Sequence, residues 1–558
     1  MNSVRRSESV LRVVSSAEPT PPTNQIPRRK TWCMPNVKPL LGFILTLLPS
    51  LWFTWLNQNA PRFGDFGDDA LYFVSGKSLL DGGGYRILSL PGEPPQTKYP
   101  PGYPALLAAA WTDGATFPSN LNRAVWLQWR MLPVMLLLMM LYWKRIGLGP
   151  RWQWGLAALH GINPYILFLS VMLMSEIPFT ALVLAALVAL HVSESKGLKW
   201  VAIAGVMAGI AFLFRTIGVA MLVTTPLVFL LRRKYTHAAV FALTMSPAVL
   251  AWSLWMKLHL PAGTGIITLY YTNYTGYHWM NFHWNEAHLF LWRNVDSLLF
   301  GIGTLILPHV MESGFLKILS EVLALGALIG CWRIAKERPA TWHYFGFAVL
   351  FMAMLLVWSF PPNERFVIPL APLLLAGFVR EVQGLIANIR KGFTHKDVSQ
   401  RSAARIMAGV VGALMVGCLT LQAITTFKIL PEMMDSFGKQ QLKNQPGYEW
   451  ARQNLPADAR VLAEKDTSFY LYTGRKAASL IVPTIHLYRD DSKAQIAAYS
   501  DAVGYAKRHG LNYIYLTRDD FRRDLNPEDF EKIQENLRVL TGAEKLYDTN
   551  GIRVFRVE

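Results

Sequence analysis

Charge is scarce in this sequence. Asp, Glu, Lys and Arg make up 16% of its 558 residues, where a soluble protein carries about 25%. Cysteine is scarcer still. Cys33, Cys331 and Cys418 are the only three, each in or next to an apolar run and none at metal-ligand spacing, so a disulfide framework is not expected. No internal repeat is visible, and no HExxH or similarly tight ligand motif occurs. The apolar runs lack the strict polar–apolar alternation of a membrane β-barrel.

What is abundant is hydrophobic sequence, at 52% of the chain. Several runs reach the roughly 17–25 residues needed to cross a bilayer. The fold class expected is an α-helical polytopic membrane protein with a small soluble α/β domain at its C-terminal end. The net charge of +18 does not point to nucleic acid. Lys and Arg cluster in short loops between apolar runs, where they orient a membrane protein.

Residues 1–38 carry Arg5, Arg6, Arg12, Arg28, Arg29, Lys30 and Lys38, and read as a disordered cytoplasmic tail rather than a cleavable signal. Residues 39–427 form the membrane domain, with spans at 39–57, 123–143, 152–168, 171–191, 238–257, 315–333, 341–358, 366–382 and 406–427. The run 200–231 has basic residues at both ends and is too long for one comfortable span. It reads as a hairpin with Arg215 at its outer tip. The total is about eleven crossings. The first outer loop is 58–122, and 258–313 is a second, aromatic-rich outer segment whose part 297–311 reads as re-entrant or interfacial. Residues 428–558 are more charged. They contain strand-like Arg460–Ala463, Tyr513–Leu516 and Ile552–Phe555, with a turn at Thr549-Asn550-Gly551. With the N-terminus cytoplasmic, this domain lies outside the cell membrane, the bacterial inner membrane being the expected location.

The chemistry-bearing stretch is Asp65-Phe66-Gly67-Asp68-Asp69-Ala70-Leu71-Tyr72 in the first outer loop. The apolar spacing after Asp69 suits a short amphipathic helix on the membrane surface. One Asp can serve as its N-cap while the other acts as a general base beside the helix N-terminus. Glu176 lies at the outer start of a span, where a carboxylate needs a partner or a task. Lys98, in the rigid Lys98-Tyr99-Pro100-Pro101-Gly102 turn, joins Arg215 and Arg365 as outer-face cations suited to a phosphate. For any one of them, snorkelling to ordinary phospholipid is the simpler reading. Tyr72, Tyr99 and Tyr103 are the expected pocket-lining rings. His278, His283 and His288 recur every five residues near Glu286, His309 and Glu312, a spacing that fits no single helix face, and no metal site is assigned there. Asn273-Tyr274-Thr275 fits a glycosylation sequon. Thr473-Gly474-Arg475-Lys476 reads as a turn or an anion contact.

These motifs resemble the GT-C superfamily of integral membrane glycosyltransferases, in particular the branch of protein O-mannosyltransferases and aminoarabinose transferases. Asp68-Asp69 resembles the branch's acidic pair, with Leu71 standing where Arg is usual. Lys98-Tyr99-Pro100-Pro101 resembles its Lys-Pro-Pro turn, with a Tyr inserted. Glu176 resembles its second acid, and Arg365-Phe366-Val367-Ile368-Pro369 its Arg-aromatic element before a Pro-containing span. The resemblance covers residues 40–380. It implies a polyprenyl-phosphate sugar donor and a protein, lipid or glycan acceptor at the outer face. Asp68 is the first choice of base, with Asp65 and Asp69 as alternatives and Glu176 a further catalytic carboxylate, and Lys98, Arg215 and Arg365 would hold the donor phosphate. No cofactor is required, although a divalent metal is compatible with the scheme. A transporter of lipid-linked sugars is the competing reading, and a membrane sensor a third.

Overall fold

Apolar segments in a bilayer satisfy their backbone groups internally, so they become helices. The computed structural model describes residues 38–309, 313–522 and 525–557, so the tail 1–37, Cys33 and Glu312 lie outside the described residues. The chain divides into a short unit, Met1–Leu45, and a large one, Thr46–Glu558. All that follows concerns the large unit, except that the first helix, Lys38–Leu56, begins in the short one.

Among the described residues nine helices are long and apolar enough to cross a membrane, or ten when Pro150–Gly161 and Pro164–Val171, bent by 55°, count as one. Leu243, Leu250, Leu258 and Ile406 on these helices are at least 65% exposed, as lipid-facing side chains must be. The expected hairpin is a pair of shorter helices, Leu198–Phe214 and Thr216–Leu231, interrupted at Arg215. The protein is an integral membrane protein.

The helix Ala287–Ile306 exceeds the interfacial piece expected at 297–311 and is long enough to count as a span. Its contacts nonetheless run along one end of the bundle. Asn294 Nδ2 donates to the carbonyls of Leu355, Leu356 and Trp358, and Gly301 lies against the backbone of Asn363 and Glu364. Asn294 and Gly301, about two turns apart in the helix, therefore both touch the loop that joins two later spans. That loop belongs to the end of the bundle that carries the C-terminal domain, here called the head side. The basic loops around Arg145, Arg232 and Arg333 lie at the other ends of the same helices.

The head-side helix Asp68–Leu80 departs from expectation. It is not an amphipathic surface helix: Asp69 to Gly76 are all buried. Helix Gly102–Ala108 covers one side, approaching so closely that a Cβ on Gly76 would lie 2.8 Å from the Pro104 carbonyl oxygen. The C-terminal domain covers another. There Gly64, at φ +85°, has no room for a Cβ beside Ser468.

The last apolar span runs without interruption from Val398 to Asn454, through a π-helical turn at Thr425–Ile429. The domain boundary expected at 428 thus falls inside a continuous helix. The domain itself is a five-stranded sheet of β1 (Arg460–Leu462), β2 (Lys476–Ala478), β3 (Tyr513–Leu516), β4 (Ala543–Thr549) and β5 (Ile552–Val557), ordered β2-β1-β3-β5-β4. β1 is parallel to both neighbours, while β5 is antiparallel to β3 and β4. Asn550 and Gly551 turn the β4–β5 hairpin with φ of 55° and 80°, the positive values a tight hairpin turn needs. Helices Ser492–Ser500, Ala502–Arg508 and Pro527–Asn536 complete the domain.

Candidate active site

Five separate segments converge on the head side. The first turn of Asp68–Leu80 supplies Asp68. The Pro-rich turn before helix Gly102–Ala108 supplies Lys98 and Tyr99. The start of span Glu176–Lys196 supplies Glu176, and Arg215 and Arg365 come from the hairpin break and the start of the helix Glu364–Val367.

Asp68 accepts a hydrogen bond from Tyr99 Oη at 2.5 Å on Oδ1 and one from Arg365 Nη2 at 3.3 Å on Oδ2. Its side chain keeps 23% of its surface open. Burial works against its ionised form, but Arg365, Lys98, the Tyr99 hydroxyl and Arg215 outweigh it and hold the carboxyl below its ordinary value. Neither Asp caps the helix through its side chain: Gly67 occupies the cap position.

Asp69 is turned away from this group. It is fully buried, and its Oδ2 accepts from Gly64 N–H at 2.8 Å. Burial pushes its carboxyl up to about 7 against that hydrogen bond. Asp69 thus stands apart from the charge cluster and fixes the Gly64 turn. The two neighbours part because successive helix residues point about 100° apart.

Glu176 is fully buried. Its Oε1 pairs with Arg215 Nη1 at 2.6 Å and lies 3.9 Å from Arg365 Nε. Arg215 Nη1 also donates to Ser175 Oγ at 3.2 Å. One carboxylate thus anchors two guanidiniums, so Glu176 acts as an anchor and is not open to a substrate. Phe66 and Phe366 lie under Arg365, with ring centroids 5.2 and 4.7 Å from its guanidinium carbon.

Lys98 is 8% exposed, yet among the described residues it forms no salt bridge. Aromatic rings take the place of a counter-ion: its Nζ lies 3.9 Å from the centroid of Tyr270, 4.4 Å from Tyr274 and 5.1 Å from Tyr99. Burial pulls the ammonium down to about 8, against the attraction of Asp68 and Asp466.

The three expected pocket tyrosines separate. Tyr99 touches Asp68. Tyr72 packs on Tyr99 at 4.5 Å, with its hydroxyl 3.4 Å from Ser175 Oγ. Tyr103 is fully buried and donates to Gln128 Oε1 at 2.9 Å, so it belongs to the supporting core rather than to a pocket.

Sequence reasoning missed Tyr270 and Tyr274 as neighbours of Lys98, and it missed the whole contribution of the C-terminal domain. Lys465 reaches Asp65, and Asp466 accepts from Tyr271 Oη at 2.8 Å. Ser175 had a usable signal, since it adjoins Glu176. The histidines scatter: His278 Nδ1 bonds Ser359, His309 Nε2 bonds Ser320, and Glu286 pairs with Arg489. Among the described residues no three His, Cys, Asp or Glu side chains lie together as metal ligands do. Asn273 of the sequon caps its own helix by accepting from Gly276 N–H, and Arg475 of the tail motif donates to the carbonyls of Leu455, Arg452 and Thr473.

The chain shares this fold, a polytopic helical bundle beneath a head domain, with solved structures. It is similar to the apo oligosaccharyltransferase of Archaeoglobus fulgidus, with a TM-score of 0.52 at 12% identity over 93% of this chain and 74% of that one. The same enzyme tethered to an acceptor peptide containing the NVT sequon matches with the same values. ArnT from Cupriavidus metallidurans bound to undecaprenyl phosphate aligns at a TM-score of 0.49 and 12% identity over 94% of this chain and 98% of that one. No family model and no curated protein sequence matches this chain.

Proposed function

We propose that the protein is a glycosyltransferase that moves a sugar from a polyprenyl-phosphate carrier to an acceptor hydroxyl on the extracytoplasmic face of the membrane. The observation that carries this reading is Lys98, a buried cation that forms no salt bridge among the described residues and sits near the ionised Asp68. A buried charge without a partner is costly unless a ligand supplies the partner. With Arg365 and Arg215 it makes a cationic surface for a phosphate whose lipid tail lies in the bilayer. The GT-C fold and the first-loop motifs support the same reading.

In the proposed reaction the acceptor oxygen forms a bond to the anomeric carbon. The bond from that carbon to the phosphate oxygen breaks, and its electron pair leaves on the lipid phosphate. The hydroxyl proton passes to Asp68 and then to solvent. Asp68 is held ionised by its neighbours, which makes it a weak base at rest. It suffices in an oxocarbenium-like transition state, where the hydroxyl becomes acidic as its bond to carbon forms. Lys98 and Arg365 stabilise the charge that grows on the departing phosphate. One displacement without an enzyme nucleophile inverts the anomeric centre.

The test is transfer by the purified protein in nanodiscs, supplied with radiolabelled polyprenyl-phosphate sugars. Asp68→Asn is expected to lower the rate by about a hundredfold or more. Undiminished transfer by that variant removes the base assignment. No transfer by the wild type across donors removes the function and leaves transport of lipid-linked sugars as the better reading.

A further inference from the structure

Asp466, from the C-terminal domain, stands 5% exposed at the start of helix Asp466–Thr473. Its Oδ2 accepts from Tyr271 Oη at 2.8 Å, and Tyr271 Oη itself accepts from Ser479 N–H at 3.2 Å. The Tyr271 ring stands edge-on to Tyr270 with centroids 5.0 Å apart. Tyr270 is the ring nearest the Lys98 ammonium, at 3.9 Å. The residue before Lys98 is tied to the same helix, since Thr97 Oγ1 donates to the Thr272 carbonyl at 2.7 Å. A chain of contacts therefore runs from the head domain through Tyr271 and Tyr270 to Lys98.

We infer that Asp466 is a positioning residue of the donor-phosphate site: the head domain, through Asp466 and Tyr271, holds the aromatic wall around Lys98 and sets a second carboxylate near that cation. The inference rests on the proposed reading of Lys98 as the phosphate-binding group. It assigns the C-terminal domain a part in donor binding beyond that of a cover.

The groups facing Lys98 are few. Asp68 comes from the loop helix, Asp466 from the head domain and Arg365 from the helix that follows residue 363. The rings of Tyr99, Tyr270 and Tyr274 surround it, and His278 stays neutral because burial pulls its imidazole down to about 3. Burial raises Asp466 to about 6, so at neutral pH it is ionised and helps Lys98 keep its proton. Removing that charge lets Lys98 deprotonate at lower pH.

The experiment is binding of a sugar-free polyprenyl phosphate to the full-length protein in nanodiscs, measured from about pH 6 to about pH 9. Wild-type affinity is expected to fall through about pH 8. In Asp466→Asn the fall is expected about half a unit to one unit lower. Tyr271→Phe keeps the ring and the charge but loses the hydrogen bond, and is expected to weaken binding about threefold to tenfold at neutral pH. If both variants bind as the wild type does across the range, Asp466 has only a structural role and the inference is overturned while the donor-site reading stands. If the wild type itself binds no polyprenyl phosphate, the donor-site reading fails and takes the inference with it.

Discussion

Lys465 Nζ meets Asp65 Oδ1 at 2.6 Å, joining two residues 400 positions apart in the chain. Asp65 also accepts from Arg62 Nε at 2.6 Å, and Arg62 lies over the ring of Phe437 at 4.1 Å. The pair pins the head domain to the start of the first loop, one residue before Asp466 and three before Asp68.

Lys465→Ala is expected to loosen this pin without unfolding the bundle. The side chains keep 29% and 16% of their surface, so solvent screens the pair and its contribution is about 1 kcal/mol. Hydrogen exchange over residues 62–68 should quicken by a factor of about five. The Asp65 carboxyl is held below its ordinary value, with burial opposing and Lys465 and Arg62 prevailing. Its stabilising effect is therefore present above the ordinary value of 3.8 and is lost only as pH falls through the lower folded value. The variant should show the same exchange ratio at about pH 5 and about pH 8.

Asp69→Asn should separate the acidic pair. Its amide oxygen can still accept from Gly64 N–H, so transfer is expected to stay within about threefold of wild type, in contrast to Asp68→Asn. The folded carboxyl titrates near 7, above the ordinary 3.8, so between those values the folded chain holds a proton the unfolded chain has lost. Stability from this group declines as pH rises toward 7 and stays low above it. The amide removes that penalty. Thermal melts should show a gain at about pH 8 larger than at about pH 5, by an amount on the order of 1–3 kcal/mol. Equal gains at both pH values would contradict the burial argument.

Lys98 should set the alkaline limb of kcat/KM for the donor. The free enzyme's ammonium titrates near 8, so kcat/KM should fall above that pH, with no acid limb from Asp68 because its carboxyl lies below 3.8. Lys98→Arg cannot deprotonate in this range and should flatten the limb. Lys98→Met should raise the donor KM by about a hundredfold while leaving the melting temperature unchanged or higher, because it removes a buried cation.

Glu176→Gln should cost more stability than any other change here. It leaves Arg215 and Arg365 sharing a buried site without their common counter-ion. Loss of one partner of a buried pair costs about 3 kcal/mol. Transfer should fall with it, because Arg365 also contacts Asp68, and the loss should appear as a lower kcat as well as a higher KM.

How much of this was legible beforehand differs by residue. Arg215 was identified from the charge pattern around 200–231, because two basic ends with one apolar run between them allow only a turn in the middle. Asp68, Lys98 and Arg365 were legible as short motifs on one side of the membrane. That Asp69 and Tyr103 face the core was not, because a single helix turn decides which neighbour points inward and the burial of Asp69–Gly76 on every side erases the usual amphipathic signal.

By itself the sequence determined the helical membrane architecture, the sheet-bearing C-terminal domain and the loops that hold the charges. Hydrophobic run length and loop charge are local properties, and a bilayer reads them directly. Only the tertiary structure decided which charges meet. It set Glu176 between two arginines, left Lys98 among three tyrosines, and brought Lys465 and Asp466 onto the first loop. Such pairings depend on where whole segments dock, which no local pattern records. The carboxylates and cations of the candidate site were visible as letters; which carboxylate stays partly open, which lies buried between two arginines and which holds a turn was decided by packing.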